Sequence, residues 1–175
     1  MTYVSKMRLV KLTKEYKEEY LEMLEGWGKI ENYKEQSPFP LSFDTDDFDN
    51  FISQIEKLEN DPDDHFVPSS TYCLKTEEGK FVAMSNLRHY LNDRLKVMGG
   101  HIGYGTRADM RSKGYATKIL ELTLIKAKKL GINEVLITCH VENIASNRTI
   151  QKNSGKLKGT IDWEGRMTNQ YLINI

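Results

Sequence analysis

Arg111, Gly114 and Ala116 form an R-x-x-G-x-A segment whose residue types suit one task, the holding of an anion. An apolar stretch, residues 100–106, precedes it, and a stretch of helical period, residues 115–130, follows. A strand, a tight turn at a glycine and a helix N-terminus together aim several backbone N–H groups into one concavity. The positive end of the helix dipole lies behind that array and favours a group such as a pyrophosphate. Arg111 and Lys113 add mobile positive charge at the same place. The plainer reading is that Gly114 only permits a tight turn and that the basic residues are solvated.

Two other anion motifs compete for the same residues. Gly103, Gly105 and Ala108 match the dinucleotide form G-x-G-x-x-A. That form needs a helix opening within it and an acid about 20 residues further on. Residues 107–113 have no apolar period, and Lys128 occupies the distant place. A nucleoside-triphosphate loop fails as well, because no Gly-Lys-Ser or Gly-Lys-Thr follows a glycine-rich turn.

The elements that must position the turn are legible from periodicity. Residues 7–12 read as a strand, and Thr13 as the cap of a helix whose apolar face holds Tyr16, Tyr20, Leu21, Met23 and Leu24, ended by Gly26 and Gly28. Residues 48–58 have helical spacing behind Asp46 or Asp47, and residues 71–75 and 80–84 flank a turn at Gly79 as a hairpin. A connection through residues 90–94 leads to the strand before the arginine turn. Lys126, Lys128 and Lys129 suit the C-terminus of the following helix, which Gly131 closes. Residues 134–139 read as a buried strand, Asn143 caps a short helix, and strands near 157–163 and 168–173 close the chain. The expectation is a single α+β domain spanning residues 1–175.

Composition bounds the partners. With 175 residues, 39% of them hydrophobic, the chain suits one folded domain. Lys plus Arg number 25 and Asp plus Glu number 25, so no global field draws it to nucleic acid or to an anionic membrane. The N-terminal residues lack a signal-peptide core and no apolar run reaches membrane-spanning length, which reads as cytoplasmic. Cys73 and Cys139 lie far apart without metal-type spacing and read as reduced, buried thiols; no metal is expected.

The order of strand, R-x-x-G-x-A turn, long helix, strand and Asn-capped helix resembles the core of the GCN5-related N-acetyltransferase (GNAT) superfamily. That family's turn is written Q/R-x-x-G-x-G/A, and the resemblance covers residues 99–155 best. It implies a mixed central sheet with two splayed parallel strands, flanking helices and acetyl-CoA lying in the splay. In that setting Tyr104, Gly105 and Thr106 would meet the pantetheine arm like an added strand. Arg111, Ser112, Lys113, Gly114, Tyr115, Ala116 and Thr117 would receive the pyrophosphate, and Asn143 and Ser146 would touch the pantetheine. Tyr104 or Gly105 would donate an N–H to the thioester carbonyl.

The family's acid and base are not matched. Its tyrosine, four residues after the small position, falls on Ile150, and its glutamate falls among Gly99, Gly100 and His101. His101, Tyr104 and His140 remain as candidates for proton transfer, and Cys139 is a poor nucleophile because direct transfer needs none. The function expected is acetyl transfer from acetyl-CoA to an amine of a small molecule or peptide. A non-catalytic acyl-CoA sensor and a dinucleotide-dependent enzyme are the competitors, and the resemblance makes a homodimer plausible. Nine acidic residues and one lysine between positions 44 and 64 suit a cationic acceptor or a solvated surface. Arg88 and His89 face either a carboxylate or the interior, and Trp27, Tyr33 and Phe39 either an acceptor pocket or the core.

Overall fold

Alternating and helical apolar periods translate into elements along nearly the whole of the computed structural model, which describes residues 6–28 and 37–175. Strand β1 (Arg8–Lys11) is followed by a 3-10 turn (Lys14–Tyr16) and helix α1 (Lys17–Trp27). Helix α2 (Phe48–Asn60) leads to the hairpin of β2 (Ser69–Lys75) and β3 (Phe81–Arg88). A short helix α3 (Asp93–Val97) precedes β4 (Ile102–Thr106), α4 (Tyr115–Lys129), β5 (Glu134–His140) and α5 (Ile144–Lys152). The hairpin of β6 (Lys156–Trp163) and β7 (Arg166–Asn174) ends the chain. Tyr33 lies outside the described residues.

Local chemistry accounts for most boundaries. Asp47 caps α2 by accepting the Asn50 N–H at 3.0 Å, and Phe48, Phe51, Ile52, Ile55 and Leu58 form its buried face. Past the end of α4, Gly131 takes the left-handed conformation (φ 81) that an L side chain resists. Three boundaries differ from expectation. Thr13 makes no side-chain cap, because the 3-10 turn intervenes before α1. Gly26 lies inside α1, and Gly28 (φ 92) is the residue that ends it. Residues 93–97 form α3, since Asn92 accepts the Leu95 N–H at 3.0 Å and nucleates a turn.

The strands form two sheets, ordered β1-β2-β3-β4 and β5-β7-β6. Among the described residues every ladder is antiparallel. The fold is therefore mixed α+β, built on antiparallel sheets. Among the described residues the sheets are joined by a Gly100–Ile137 bridge and by the His101 N–H, which donates to Leu136 O at 2.7 Å. Register divides the first sheet into two faces. Cys73 and Met84 lie in one core with Tyr20 and Met23 of α1 and Phe51, Ile52 and Ile55 of α2. On the opposite face and across the second sheet, Leu87, Ile102, Leu120, Leu124, Ile137, Ile150 and Tyr171 form a second core under α4 and α5.

Candidate active site

Hydrogen-bond parity along β4 decides which of its groups are available. In an antiparallel pair, alternate residues exchange both backbone bonds with the partner, and the residues between point theirs away. The Arg88 N–H donates to His101 O at 2.8 Å and the Arg107 N–H to Val82 O at 3.2 Å, which sets the parity. Gly103 and Gly105, opposite Asn86 and Met84, thus spend their backbone groups on β3. Tyr104 and Thr106 turn theirs to the side where no strand is paired among the described residues. Ser37 Oγ reaches in from that side to donate to Tyr104 O at 3.5 Å. Close approach calls for glycine at position 105 and crowds position 103. A Cβ on Gly105 would lie 2.8 Å from Ser37 O and from Trp27 Cζ2, and one on Gly103 would lie 3.1 Å from Ser37 Oγ. Trp27 therefore covers β4 while packing against the first core.

Beyond β4 the chain turns through a 3-10 segment (Ala108–Met110) into residues 111–114, all exposed. Ser112 (φ 62) and Gly114 (φ 82) both have positive φ, a turn geometry that gathers successive N–H groups on one side. Nothing lies within 4 Å of a Cβ built on Gly114, so its conformation, not crowding, calls for glycine. The first bond of α4 runs from Lys118 N–H to Gly114 O at 3.0 Å. The N–H groups of Tyr115, Ala116 and Thr117 consequently have no intrahelical partner, and they point where an anion would sit.

Arg107 anchors this turn, and sequence reasoning missed it. Its side chain is 5% exposed; Nη1 donates to Glu22 at 2.6 Å and Nε to Asp109 at 2.7 Å. Nη2 bonds both carboxylates as well, at 3.0 and 2.9 Å, and Nη1 also meets Phe81 O at 3.3 Å. These bonds from Arg107 hold the Glu22 and Asp109 carboxyls below their usual range. A Cβ on Gly26 would lie 2.3 Å from the guanidinium, which explains a glycine inside α1.

Across the gap, α5 presents the other predicted residues. Asn143 caps the helix by accepting the Ser146 N–H at 3.1 Å. Ser146 Oγ lies 2.9 Å from the Tyr104 hydroxyl, so a side chain from β4 meets the first turn of α5. Burial is the main reason the Tyr104 phenol is pushed above its ordinary value, and it stays protonated at neutral pH. Asn147, also missed, is the hub of this loop. It donates to Asn143 O at 2.8 Å and His140 O at 3.0 Å, and accepts from the Tyr171 hydroxyl at 2.7 Å.

The remaining titratable candidates are partly committed elsewhere. His101 Nδ1 accepts the Leu136 N–H at 3.0 Å, which places its proton on Nε2; burial and the Arg88 charge hold its pKa down. His140 Nδ1 lies 2.9 Å from Thr168 Oγ1. Burial pushes the Cys139 thiol up, so it is a thiol rather than a thiolate nucleophile. Among the described residues, no group of three or more His, Cys, Asp or Glu side chains is placed to hold a metal.

An acetyltransferase (GNAT) domain model matches residues 6–156. The chain belongs to that family. GNAT folds are also what solved structures return at low identity. MccE, a microcin C7 self-immunity acetyltransferase solved with acetyl-CoA and AMP, is 21% identical over 98% of this chain and 94% of its own, with a TM-score of 0.69. RimL, a ribosomal L7/L12 alpha-N-protein acetyltransferase solved with coenzyme A, is 15% identical over 98% and 95%, with a TM-score of 0.72. A spermidine N-acetyltransferase SpeG chimera from Vibrio cholerae and hSSAT is 13% identical over 97% and 96%, with a TM-score of 0.66. No curated protein sequence matches the chain significantly. Membership makes this protein an acetyltransferase. Within the GNAT pattern, Ile150 at the tyrosine place is fully buried, packed so that a Cβ on Gly155 would lie 2.4 Å from it.

Proposed function

We propose that this GNAT protein transfers the acetyl group of acetyl-CoA directly to an amine of a small molecule or peptide, residues 1–175 acting as one domain with its cofactor core at about 99–155. Acetyl-CoA supplies the activated thioester, and the chain supplies orientation and proton handling. The observation that carries the reading is the outward backbone of Tyr104 and Thr106, in line with the turn whose N–H groups at residues 115–117 have no intrahelical partner. Tyr104 and Thr106 would pair with the pantetheine amides as an added strand. The splay between β4 and β5 would open beyond the His101–Leu136 bond. Residues 111–117 would hold the pyrophosphate, and Asn143 and Ser146 would border the pantetheine from α5.

Parity favours the Tyr104 N–H over that of Gly105 as the donor to the thioester carbonyl, because the Gly105 N–H belongs to the β3 ladder. The Tyr104 hydroxyl, protonated and aimed at Ser146, is the candidate proton donor to the departing thiolate in place of the absent tyrosine of α5. His140 and the Nε2 side of His101 are left as candidates to accept the amine proton, directly or through water.

A second reading, a non-catalytic acyl-CoA sensor, is favoured by the apolar, buried Ile150. One experiment separates the two. Thiol release is followed with acetyl-CoA and a broad amine panel, alongside equilibrium binding of acetyl-CoA, for the wild type and Gly114→Glu. Binding that Gly114→Glu weakens, together with thiol release from some amine, supports transfer; binding without release from any amine supports the sensor. Normal binding and turnover by Gly114→Glu would refute the assignment of the turn.

A further inference from the structure

One face of the first sheet changes character along its length. Cys73 and Met84, opposite each other in the register, lie beneath Tyr20 and Phe51 in the first core. Further along the same face, Thr71 stands opposite Asn86 and Ser69 opposite Arg88, while beside Asn86 Gly103 on β4 lies under Ser37 and Pro38. A sheet face covered by other chain segments is ordinarily apolar, and polar groups buried there need partners. Asn86, 2% exposed, finds them by donating to Ser69 Oγ at 3.1 Å and Thr71 Oγ1 at 3.2 Å.

Arg88 is only half satisfied. Its Nη1 donates to Gly100 O at 2.9 Å and Gly99 O at 3.2 Å, which fixes the guanidinium at the junction of the two sheets. No carboxylate pairs with it among the described residues, and Nε and Nη2 have no hydrogen-bond partner there. Arg88 is half-buried, and those nitrogens are not fully sealed from solvent. The neighbouring charges are of the same sign: Arg94 lies close enough to act on Arg88, and Arg88 in turn acts on His101. Burial and Arg94 bring the guanidinium down to about 10. A desolvated cation without an anion is costly, and a planar guanidinium edge matches a carboxylate bidentately.

Four of the nine acidic residues between positions 44 and 64 already have partners. Asp47 caps α2, Asp44 accepts the Asp46 N–H, Asp63 pairs with Lys57 and Glu59 with Lys11. Strand rise also fits the distances: at about 3.3 Å per residue, His101, which is bonded to Arg88 through its backbone, lies on the order of 10 Å from Tyr104.

We propose that Arg88, half-buried at the end of the buried polar cluster of Asn86, Ser69 and Thr71, seats a carboxylate of the acceptor, so that the amine acetylated belongs to an amino acid or a short acidic peptide and not to a polyamine. This rests on the acetyl-transfer reading above. The test pairs free amino acids and acidic dipeptides with the carboxamides of the same compounds. For each pair, binding to acetyl-CoA-loaded protein is measured by calorimetry and thiol release by continuous assay, in the wild type, Arg88→Met and Arg88→Lys. Phosphorylated amines and spermidine complete the panel. The expected result is a wild-type preference for the carboxylate member of at least tenfold in kcat/KM and in binding. In Arg88→Met that ratio falls to near one. Arg88→Lys, which keeps the charge but not the fork, loses most of it while retaining the wild-type Tm and acetyl-CoA affinity. Equal turnover of acids and carboxamides by the wild type, a preference that survives Arg88→Met, or selection of phosphorylated amines or spermidine would overturn the carboxylate seat. Arg88-dependent binding of carboxylates with no thiol release would instead leave the seat standing and refute amine transfer.

Discussion

Tyr104 combines two proposed roles that mutation can separate, since its backbone N–H points away from β3, toward the proposed cleft, and its hydroxyl reaches Ser146 at 2.9 Å. Tyr104→Phe keeps the first and removes the second. If the hydroxyl protonates the leaving thiolate, kcat falls roughly 10- to 100-fold with little change in the KM for acetyl-CoA. A purely structural hydroxyl would instead leave kcat in place and cost about 1 kcal/mol of stability, read as a lower Tm. At Gly114 the two substitutions Asn and Glu divide geometry from charge. Asn tolerates the left-handed region and meets no neighbour within 4 Å, so Gly114→Asn is expected to keep a near-normal KM for acetyl-CoA. Gly114→Glu would bring a carboxylate beside the proposed pyrophosphate site, and its KM is expected to rise about tenfold or more, equivalent to roughly 1.4 kcal/mol. The shape of this turn, from β4 through a left-handed Gly114 to the start of α4, was legible in sequence because it is local. Arg107 was not, since its partner Glu22 lies 85 residues away, nor was Asn147, whose partner Tyr171 lies 24 away.

Elements were legible where period and cap agree, as in α2 behind Asp47 and α5 behind Asn143. They were misread where a tertiary contact overrides the local signal. Gly26 has the look of a helix stop, yet it continues α1 because the Arg107 guanidinium occupies the place of its side chain. This pairing of α1 with the loop after β4 makes a prediction whose sign depends on background. In the wild type, Gly26→Ala is expected to lower the Tm, because the new methyl displaces a guanidinium fixed by Glu22 and Asp109. In an Arg107→Ala background the clash is gone, and the same change is expected to stabilise by up to about 1 kcal/mol through helix propensity. A double-mutant cycle by chemical denaturation reads the sign directly. Gly26→Ala destabilising both backgrounds equally would mean that Arg107 is not what requires the glycine. Because Arg107 also fixes the base of the turn proposed to hold the pyrophosphate, Arg107→Ala is expected to raise the KM for acetyl-CoA more than that for acetyl-pantetheine, which lacks the pyrophosphate.

At the scale of the whole molecule, two antiparallel sheets act as one frame through a narrow junction. The His101 N–H donates to Leu136 O at 2.7 Å and the His101 ring accepts the Leu136 N–H at 3.0 Å, so one residue closes both bonds. Strand order and this junction were beyond reach of the sequence, because antiparallel pairing in separate sheets leaves the same strand periodicity as one continuous sheet. The histidine was visible, but a strand histidine alone does not reveal which backbone it meets. The junction has a pH signature. Burial and Arg88 hold His101 below its ordinary 6.5, and burial does the same for His89. Between the folded and unfolded values the unfolded chain binds more protons, so stability rises with pH there. The stabilisation from neutral His101 is thus fully present above about pH 6.5 and is lost as pH falls below it, at up to about 1.4 kcal/mol per pH unit for one group. Protonation at Nδ1 would break the bond to Leu136 and loosen the sheets where the proposed splay begins. His101→Gln offers an uncharged acceptor at all pH values. Urea denaturation between pH 5 and 8 is therefore expected to give the variant a shallower slope of stability against pH than the wild type. His89, unchanged in both proteins, contributes equally and cancels in the comparison. Identical slopes would mean that His101 titrates alike in folded and unfolded chains and that the junction does not depend on its neutral ring.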